Sequence, residues 1–363
     1  NLIIFFPIFN RGGLEEVSNL IVKYLKNSKI NIYFITFKKN KYLFKNNKNI
    51  KILCPNNSNK KIYNLKRIIL CCKILISLLR KNNQKNTVIL SLQNSSFSIL
   101  IAKFFRFKII VKNATPINAL FYLNNKFQAV LVFLMKIITY NLADRIIVNS
   151  ISNKNSLSKF ILGRKKISMI YNPTNLKENN FTIKKRKKII LSVGRLVYEK
   201  GIHILIKAFK ELQRDDYKLI LVGDGIYRKK LEELVISLNL QKRVKFKGWT
   251  KNPEKFYRSA QIFVLPSFFE GFGNVLVEAM NFSTPCISTL ESGGPSEILG
   301  YGKYGLLASK NDVQDLKNKI DYSIKNSVKI KKKTYLAKKS LIRFKENISI
   351  KKYIKELNNL LIV

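Results

Sequence analysis

The sequence has few residues that bind metals or form disulfide bonds. Its 363 residues include 4 cysteines and 1 histidine. Cys54, Cys71, Cys72 and Cys286 form no Cys-x-x-Cys pair and, with His203, no zinc-type spacing. We therefore expect neither a structural zinc site nor a disulfide framework, and a reducing cytosol is the expected compartment.

Acidic residues are also scarce. The chain has 21 Asp and Glu against 68 Lys and Arg, a formal net charge of +47. This charge favours a polyanionic partner: nucleic acid, an anionic membrane face, or a phosphate-bearing lipid or sugar. The alternative is that Lys, Asn and Ile rise together, as in a chain from an AT-rich genome. The basic residues are dispersed over runs such as 38–41, 184–188 and 329–333, which disfavours a nucleic-acid groove.

No apolar run is long enough to cross a bilayer. The apolar stretches 68–79, 97–111 and 129–138 are each interrupted by Lys or Arg. The sequence opens on a strand-like run without a basic leader, so no signal peptide is expected. We expect a cytoplasmic protein.

The apolar residues that are present follow an alternating pattern of strands and helices. Short β-branched runs are each followed by a turn and a longer segment with helical spacing, which is typical of parallel β-α-β units. The pattern restarts at Ile189, after a polar, basic stretch. The predicted fold class is α/β, with doubly wound domains at 1–175 and 189–340, a linker at 176–188 and a final helix at 341–363.

Three glycine loops follow predicted strands, where parallel sheets bind ligands. Gly12 and Gly13 follow the first strand. The second loop combines Gly194 with Arg195 and Lys200, two cations suited to one diphosphate. The third loop carries Gly223 and Gly225.

The most specific loop runs from Glu270 to Glu278. Its glycines precede a predicted helix capped near Asn274, whose amino end would face the loop with one carboxylate on either side. These carboxylates suit the hydroxyls of a sugar and a ribose. A glycosidase acid pair is the alternative, which the neighbouring cations disfavour.

These motifs together resemble the retaining glycosyltransferase family 4, which has the GT-B fold of two Rossmann-like domains facing each other across a cleft. The acids Glu270 and Glu278 are separated by seven residues, as in that family. The other matching segments are 192–196, 200–201, 221–225, 263–267, 293–298 and 305–307, with looser matches at 12–15 and 143–150.

The resemblance implies roles for individual residues. Arg195 and Lys200 would bind the donor diphosphate, Glu270 the transferred sugar and Glu278 the ribose; Glu270, Arg195 and Lys200 are the expected catalytic residues. The donor-binding set is Gly12, Gly13, Gly194, Arg195, Lys200, Gly223, Gly225, Glu270, Gly271, Phe272, Gly273, Asn274, Val275 and Glu278. The final helix would cross back to the first domain.

The chain departs from the family at two positions. Relatives often have a histidine in the first domain, whereas His203 follows the Lys200 loop and is expected to be structural. Glu16 stands where relatives often have Arg. Trp249 is either a wall of the base pocket or a packed loop aromatic.

The implied activity is retaining, metal-independent transfer of a sugar from a nucleotide-diphosphate sugar, a UDP-sugar by preference. The sugar could be an N-acetylhexosamine and the acceptor a growing, lipid-linked glycan of the cell surface. No cofactor is expected, because the nucleotide sugar is a co-substrate and no Asp-x-Asp motif occurs. The amphipathic segments 66–80 and 129–141 suit peripheral contact with the anionic cytoplasmic face of the inner membrane.

Two alternatives remain from other classes. A basic nucleic-acid-binding protein would explain the net charge, but it gives no reason for paired acids beside a phosphate loop, and we expect no nucleic-acid partner. An epimerase or phosphorylase on the same scaffold would differ in product only. The oligomeric state is left open.

Overall fold

The computed structural model describes residues 1–8, 13–26, 28–37, 48–55, 64–93, 95–117, 126–174, 176 and 186–361. These residues form two compact units. Unit 1 combines Asn1–Pro173 with Glu346–Val363, and unit 2 is Thr174–Lys345.

Unit 1 is built on a seven-stranded parallel sheet. Its strands are β1 (Leu2–Phe5), β2 (Ile32–Ile35), β3 (Ile50–Leu53), β4 (Val88–Ser91), β5 (Lys108–Asn113), β6 (Arg145–Val148) and β7 (Ile167–Met169). They lie in the order β3-β2-β1-β4-β5-β6-β7. The central strands β1 and β4 are buried along their whole length, because helices cover both faces of such a sheet.

Five helices of unit 1 precede the second sheet. They are α1 (Gly13–Leu25), α2 (Asn64–Lys81), α3 (Ser95–Phe104), α4 (Lys126–Leu142) and α5 (Ile151–Ser158). One core on the sheet combines apolar residues of α2, α3, α4 and α5, among them Leu75, Ile99 and Leu157. A separate core holds α1 against the sheet through Val17 and Ile21.

Unit 2 repeats this architecture with six parallel strands. They are β8 (Lys187–Val193), β9 (Lys218–Val222), β10 (Val244–Phe246), β11 (Ala260–Leu265), β12 (Cys286–Thr289) and β13 (Leu306–Ala308), in the order β10-β9-β8-β11-β12-β13. Its helices are α6 (Ile202–Glu211), α7 (Arg228–Ser237), α8 (Glu254–Ser259), α9 (Asn274–Asn281), α10 (Gly294–Ile298), α11 (Val313–Lys325) and α12 (Ser327–Ser340). Two doubly wound parallel sheets confirm the predicted fold class.

The last helix, α13 (Glu346–Leu361), packs in unit 1. Its residues Ile350, Tyr353 and Leu357 join the core that holds α1. The helix had been predicted from residue 341, but Leu341–Phe344 is a 3₁₀ turn of unit 2. The chain therefore leaves unit 2 a few residues later than the pattern indicated.

Other local features differ from the prediction. Strands β3, β7, β12 and β13 were not expected, because each has at most four residues and is flanked by polar segments, where an apolar run is hard to recognise. Lys187 and Lys188, assigned to the linker, are the first residues of β8, since an exposed strand start carries no apolar signal. Among the described residues, no helix is both long and apolar enough to cross a bilayer.

Candidate functional site

The predicted donor residues of unit 2 lie on loops at one edge of its sheet. In this sheet β8 has β9 on one side and β11 on the other, so the strand order reverses between β8 and β11. Ligands of doubly wound folds bind beyond the carboxyl ends of the strands at such a reversal. The loops that follow β8, β9, β11 and β12 form this edge.

The loop after β8 rests on the loop after β9 through backbone contacts. The Gly194 N–H donates to the carbonyl of Val222 (2.9 Å) and the Leu196 N–H to that of Asp224 (3.0 Å). A Cβ on Gly223 would lie 1.8 Å from the Gly194 carbonyl oxygen, and one on Gly225 would lie 2.3 Å from that of Leu196. Both glycines are therefore needed for loop packing, whatever contact they make with a donor.

Lys200 is held at the end of a 3₁₀ turn (Tyr198–Lys200) that presses on the end of β11. The next residue, Gly201, has φ +63°, and a Cβ there would lie 2.1 Å from the Pro266 carbonyl oxygen. The Phe268 N–H donates to the Glu199 carbonyl at 2.9 Å. The backbone of Lys200 is thus packed against the end of β11, the strand that leads to the Glu270 loop.

Lys200 and Glu270 form an ion pair. The Lys200 ammonium donates to Oε1 of Glu270, and their side chains are 15% and 17% exposed. Solvent screens such a pair much less than a surface pair. The structure therefore joins the cation of one predicted loop to the acid of another.

The backbone around Glu270 is locked to the loop that follows β12. The Glu270 N–H donates to the Ser292 carbonyl (2.8 Å), and the Gly294 N–H donates to the Glu270 carbonyl (3.2 Å). A Cβ on Gly294 would lie 2.6 Å from the Cα of Phe272, so the two loops approach as closely as backbones can. Glu270 is thereby positioned by its backbone as well as by Lys200.

Helix α9 begins directly after the acidic loop. Its N-cap is Gly273, with φ +106° and no capping side-chain hydrogen bond, whereas the sequence had indicated a cap near Asn274. The first-turn amides of a helix point out of its amino end, which carries partial positive charge. The predicted segment Gly271–Val275 therefore brings an anion-attracting helix end next to Glu270.

Arg195 is placed differently from Lys200. Its side chain is 74% exposed, and its Nη2 lies 4.0 Å from Oε1 of Glu199. An exposed pair at this distance constrains the guanidinium little. The structure thus places Arg195 on the predicted loop but does not bring its guanidinium onto Glu270.

Glu278 lies on α9 and accepts a hydrogen bond from a buried tyrosine. The Tyr257 hydroxyl donates to Oε2 of Glu278 at 2.8 Å. Burial raises the pKa of Glu278 and raises the pKa of Tyr257 well above its ordinary value, so the phenol keeps the proton that it donates. Both residues line a pocket of about 160 Å³, together with Thr174, Lys251, Asn252, Pro253, Glu254, Asn281 and Phe282.

Arg186 holds the helices that carry this pair. Its Nη1 donates to the carbonyls of Tyr257 (2.9 Å), Arg258 (3.2 Å) and Ala260 (2.8 Å), at the end of α8. Its Nη2 donates to the carbonyls of Phe282 (2.7 Å) and Ser283 (2.9 Å), at the end of α9. Helix ends leave these carbonyls without intrahelical partners, and a cation satisfies them.

Sequence reasoning missed both Arg186 and Tyr257. Arg186 stands in a basic run that was interpreted as a linker, and Tyr257 stands in a short helix without a motif. The only signal for Arg186 is a position one residue before β8. The role of Arg186 follows from contacts with residues more than 70 positions away in the chain. The role of Tyr257 follows from a contact between two helices, with Glu278 21 residues away. A sequence pattern encodes neither contact.

The remaining predicted residues lie elsewhere. His203 stacks on Tyr198 with ring centroids 5.0 Å apart, and burial lowers its pKa, so it packs in an aromatic cluster beneath the Lys200 turn. Trp249 is 52% exposed after β10. Gly13 begins α1 in unit 1, and Gly12 lies outside the described residues. Among the described residues, no three His, Cys, Asp or Glu side chains cluster as metal ligands would.

Comparison with known proteins gives one family. Residues 174–341 match the model of the family described as glycosyl transferases group 1. The chain is 31% identical over 261 residues to the N-acetylgalactosamine-N,N'-diacetylbacillosaminyl-diphospho-undecaprenol 4-alpha-N-acetylgalactosaminyltransferase of Campylobacter jejuni, covering 69% of this chain and 71% of that protein. It is 25% identical over 308 residues to an amylovoran biosynthesis glycosyltransferase of Erwinia amylovora, covering 82% and 83%.

Solved structures share the fold over the whole chain. Anabaena HepE in complex with UDP-glucose superposes with a TM-score of 0.80 at 19% identity, covering 99% of both chains. Sucrose-phosphate synthase from Thermosynechococcus elongatus superposes with a TM-score of 0.82 at 19% identity, covering 99% of this chain and 98% of that one. The fold of the chain is therefore GT-B.

Proposed function

The chain belongs to the glycosyl transferases group 1 family and is a glycosyltransferase, and from this premise we propose that it transfers a sugar from a UDP-sugar to a lipid-linked glycan with retention at the anomeric carbon. The observation that carries this proposal is the Lys200–Glu270 ion pair beside the amino end of α9. A cation, a helix end and an acid at the switch point of the sheet match a diphosphate attached to a sugar.

The reaction requires stabilisation of a leaving diphosphate. The bond between the anomeric carbon and the diphosphate oxygen breaks, and a bond from the acceptor oxygen forms on the same face of the sugar. The acceptor hydroxyl's proton passes to the departing phosphate oxygen. Lys200, Arg195 and the first-turn amides of α9 would offset the charge that develops there, and this is the main work of a catalyst for such a step.

Glu270 has a separate role in this scheme. A bare carboxylate beside a diphosphate would be repelled, but the Lys200 ammonium on Oε1 offsets that repulsion. The carboxylate can still accept hydrogen bonds from neutral hydroxyls of the transferred sugar. Glu270 would therefore orient the sugar over the leaving group, while Lys200 contacts both the Glu270 carboxylate and the diphosphate.

The pocket beside Glu278 suits the nucleoside. Tyr257 donates to one oxygen of this carboxylate, and the carboxylate can accept the hydroxyls of a ribose that enters the pocket. The UDP-glucose complex of HepE supports uridine as the nucleoside. The Campylobacter enzyme's diphospho-undecaprenol acceptor supports a lipid-linked glycan, and its name makes an N-acetylhexosamine the first sugar to test.

The same proposal covers cofactor and location. We propose turnover without a divalent cation, because the chain has no Asp-x-Asp motif and the cations named above can hold the diphosphate. We also propose that the enzyme works in the cytoplasm, in peripheral contact with the anionic face of the inner membrane, where lipid-linked acceptors are found.

A donor screen tests the proposal. Purified enzyme is incubated in EDTA with UDP-, GDP- and ADP-sugars and a short polyprenyl-diphosphate sugar acceptor, and products are identified by mass spectrometry and by NMR of the new linkage. We expect transfer from a UDP-sugar with retained configuration, lowered by ~10² or more in Glu270→Gln because the transition-state contacts of Glu270 are lost. Lys218→Ala, at the start of β9, is the control. Strict dependence on Mg²⁺ or Mn²⁺, or an inverted product, would contradict the proposal.

A further inference from the structure

Helices α3 and α4 of unit 1 contact each other and expose large apolar side chains. Phe104 is 82% exposed and Phe127 is 79% exposed. The residues called the α3–α4 face below are Phe97, Leu100, Phe104, Phe127, Leu131, Leu134 and Ile138. The positions within each helix are three or four residues apart, so they lie along one side of that helix.

The same two helices also bury other apolar side chains in the core of unit 1. Ile99 and Ala102 of α3, and Ala129 and Tyr140 of α4, are buried against unit 1. A surface helix of a globular protein turns polar residues to the side away from its core. Apolar side chains on that side, over two neighbouring helices, mark an interaction surface.

Helix α2 shows the contrast. Its residues Ile68, Leu75 and Leu79 are buried, while the side chains of Lys73 and Arg80 are exposed. Both α2 and α4 had been predicted as membrane-docking segments, but α2 uses most of its apolar side in the core. The exposed apolar side chains are therefore concentrated on α4, which was predicted, and on α3, which was not.

The surroundings of the α3–α4 face are basic. The chain has no Asp or Glu between Val17 and Ala143, and Asp144 is engaged by Lys103 at 2.6 Å. Exposed cations stand beside the apolar positions: Arg106 follows α3, Lys126 precedes Phe127, and Lys159 lies in the segment after α5. A partner that covers this face must therefore have both an apolar region that buries these side chains and negative charge beside it.

We infer that the α3–α4 face docks on a lipid bilayer that contains anionic headgroups. The apolar side chains enter the boundary between headgroups and acyl chains, and the flanking cations meet lipid phosphates. A second copy of this chain would bring the same cations to the interface and be repelled. This inference names the surface used by the membrane contact in the proposed function, on which it rests.

Vesicle flotation tests the surface. The full chain is floated with phosphatidylcholine vesicles, with and without about one-third phosphatidylglycerol, at low and physiological salt. The test variant is Phe104→Ser, Phe127→Ser and Leu131→Ser, whose positions are 82%, 79% and 58% exposed. The matched control is Val328→Ser, Tyr335→Ser and Ile236→Ser in unit 2, whose positions are 80%, 59% and 58% exposed.

We expect the wild type to float with the anionic vesicles and the test variant to bind them at least about tenfold more weakly, with the control variant within about twofold of wild type. Added salt should weaken wild-type binding. The inference would be overturned if wild type bound no vesicles, or bound neutral and anionic vesicles equally. It would also be overturned if the test variant bound as well as wild type, or if wild type formed a dimer that the test substitutions dissociate.

A second readout separates this inference from the proposed function. The test variant should keep the wild-type circular dichroism spectrum and the same thermal stabilisation by UDP, because Lys200, Glu270 and Glu278 are in unit 2. Loss of vesicle binding with UDP binding intact supports the docking surface alone. A wild type that floats but is not stabilised by UDP would contradict the donor site while leaving the docking surface in place.

Discussion

At the level of single residues, the proposed chemistry depends on the Lys200–Glu270 pair. Both side chains are mostly buried, so the removal of one leaves the other uncompensated, which typically costs ~3–5 kcal/mol. Glu270→Gln also removes the charge, but it keeps the size of the side chain and an oxygen that can accept from Lys200, so it disturbs the site less than a truncation does. The pair also explains how an acid can stand beside a diphosphate without repelling it.

A conservative change at Tyr257 tests the role of Glu278. Tyr257→Phe removes the hydroxyl that donates to Oε2 of Glu278, and a lost hydrogen bond of this kind is worth ~1 kcal/mol. We expect the KM for the donor to rise about fivefold with kcat nearly unchanged, measured by steady-state kinetics, because ribose binding is uniform through the reaction.

The control for this change is Tyr217→Phe. The Tyr217 hydroxyl donates to Oε1 of Gln261 at 3.0 Å. Tyr217 directly precedes β9 and lies away from the loops of the site. Tyr217→Phe should lower stability without changing the donor KM. An equal rise of KM in both variants would mean that Tyr257 acts through folding alone.

Sequence reasoning identified site residues where a motif keeps its own spacing. Glu270, Glu278 and Lys200 belong to such motifs, and the structure places Lys200 on Glu270. Arg186 was not found because its contacts join segments far apart in the chain, and Tyr257 was not found because it lies in a short helix without a motif. The packing of Gly223 against Gly194 was not found either, because a glycine's steric role depends on the neighbouring backbone.

At the level of the elements, one side chain, Arg186, donates hydrogen bonds to the carbonyls at the ends of both α8 and α9. Arg186→Gln should raise the donor KM about tenfold, because the carbonyls at both helix ends lose their shared donor and Glu278 shifts. Arg186→Lys should restore part of this loss, since a lysine replaces the charge but not the fork geometry. The measurement is KM and kcat beside thermal stability.

Arg243→Gln is the control for Arg186. Arg243 also donates to backbone carbonyls, those of Arg214 and Tyr217, next to the start of β9. It should lower the melting temperature while leaving KM unchanged. If the two variants change stability and KM in the same proportion, Arg186 has no positioning role.

The contact between β5 and α13 predicts a pH dependence of stability. Lys112 is fully buried and donates to Asn172 Oδ1 (3.0 Å) and to the Tyr353 hydroxyl, and burial lowers its pKa from 10.5 to about 7. Between these values the unfolded chain binds a proton that the folded chain does not. The free energy of unfolding should therefore rise with pH in this window, by at most ~1.4 kcal/mol per pH unit, and level off outside it.

Denaturant unfolding from pH 7 to pH 10 tests this dependence. Lys112→Met should flatten the rise, since methionine has no proton to bind. Lys108→Met is the control, because Lys108 lies on the same strand and donates to the Leu360 carbonyl of α13 (3.0 Å) while remaining partly exposed. An unchanged slope in Lys112→Met would contradict the assignment.

The elements were predictable where periodicity is strong. The strands that begin at Leu2 and Lys218 were expected, because each is a largely apolar run inside its sheet. Strands β3, β7, β12 and β13 were missed, because each has at most four residues and too few of them are apolar to give a clear signal. The start of α13 was misplaced because a 3₁₀ turn and a helix share apolar spacing over a few residues.

For the whole molecule, the net charge of +47 permits two functions. A nucleic-acid-binding protein would use the charge directly, and its affinity would fall steeply with salt. A glycosyltransferase would use a few cations at the donor site and leave the rest for a membrane surface. The proposed donor site predicts that nucleotide binding depends on Lys200 more than on the charge of the chain as a whole.

Isothermal titration of UDP into wild type, Lys200→Ala and Lys218→Ala at physiological salt tests this dependence most directly, with a single-stranded oligonucleotide as the competing ligand. We predict that UDP binds wild type and Lys218→Ala equally, that Lys200→Ala weakens binding at least about tenfold, and that the oligonucleotide binds more weakly than UDP. Equal UDP affinity in all three proteins, or tighter binding of the oligonucleotide than of UDP, would contradict a donor site built on Lys200.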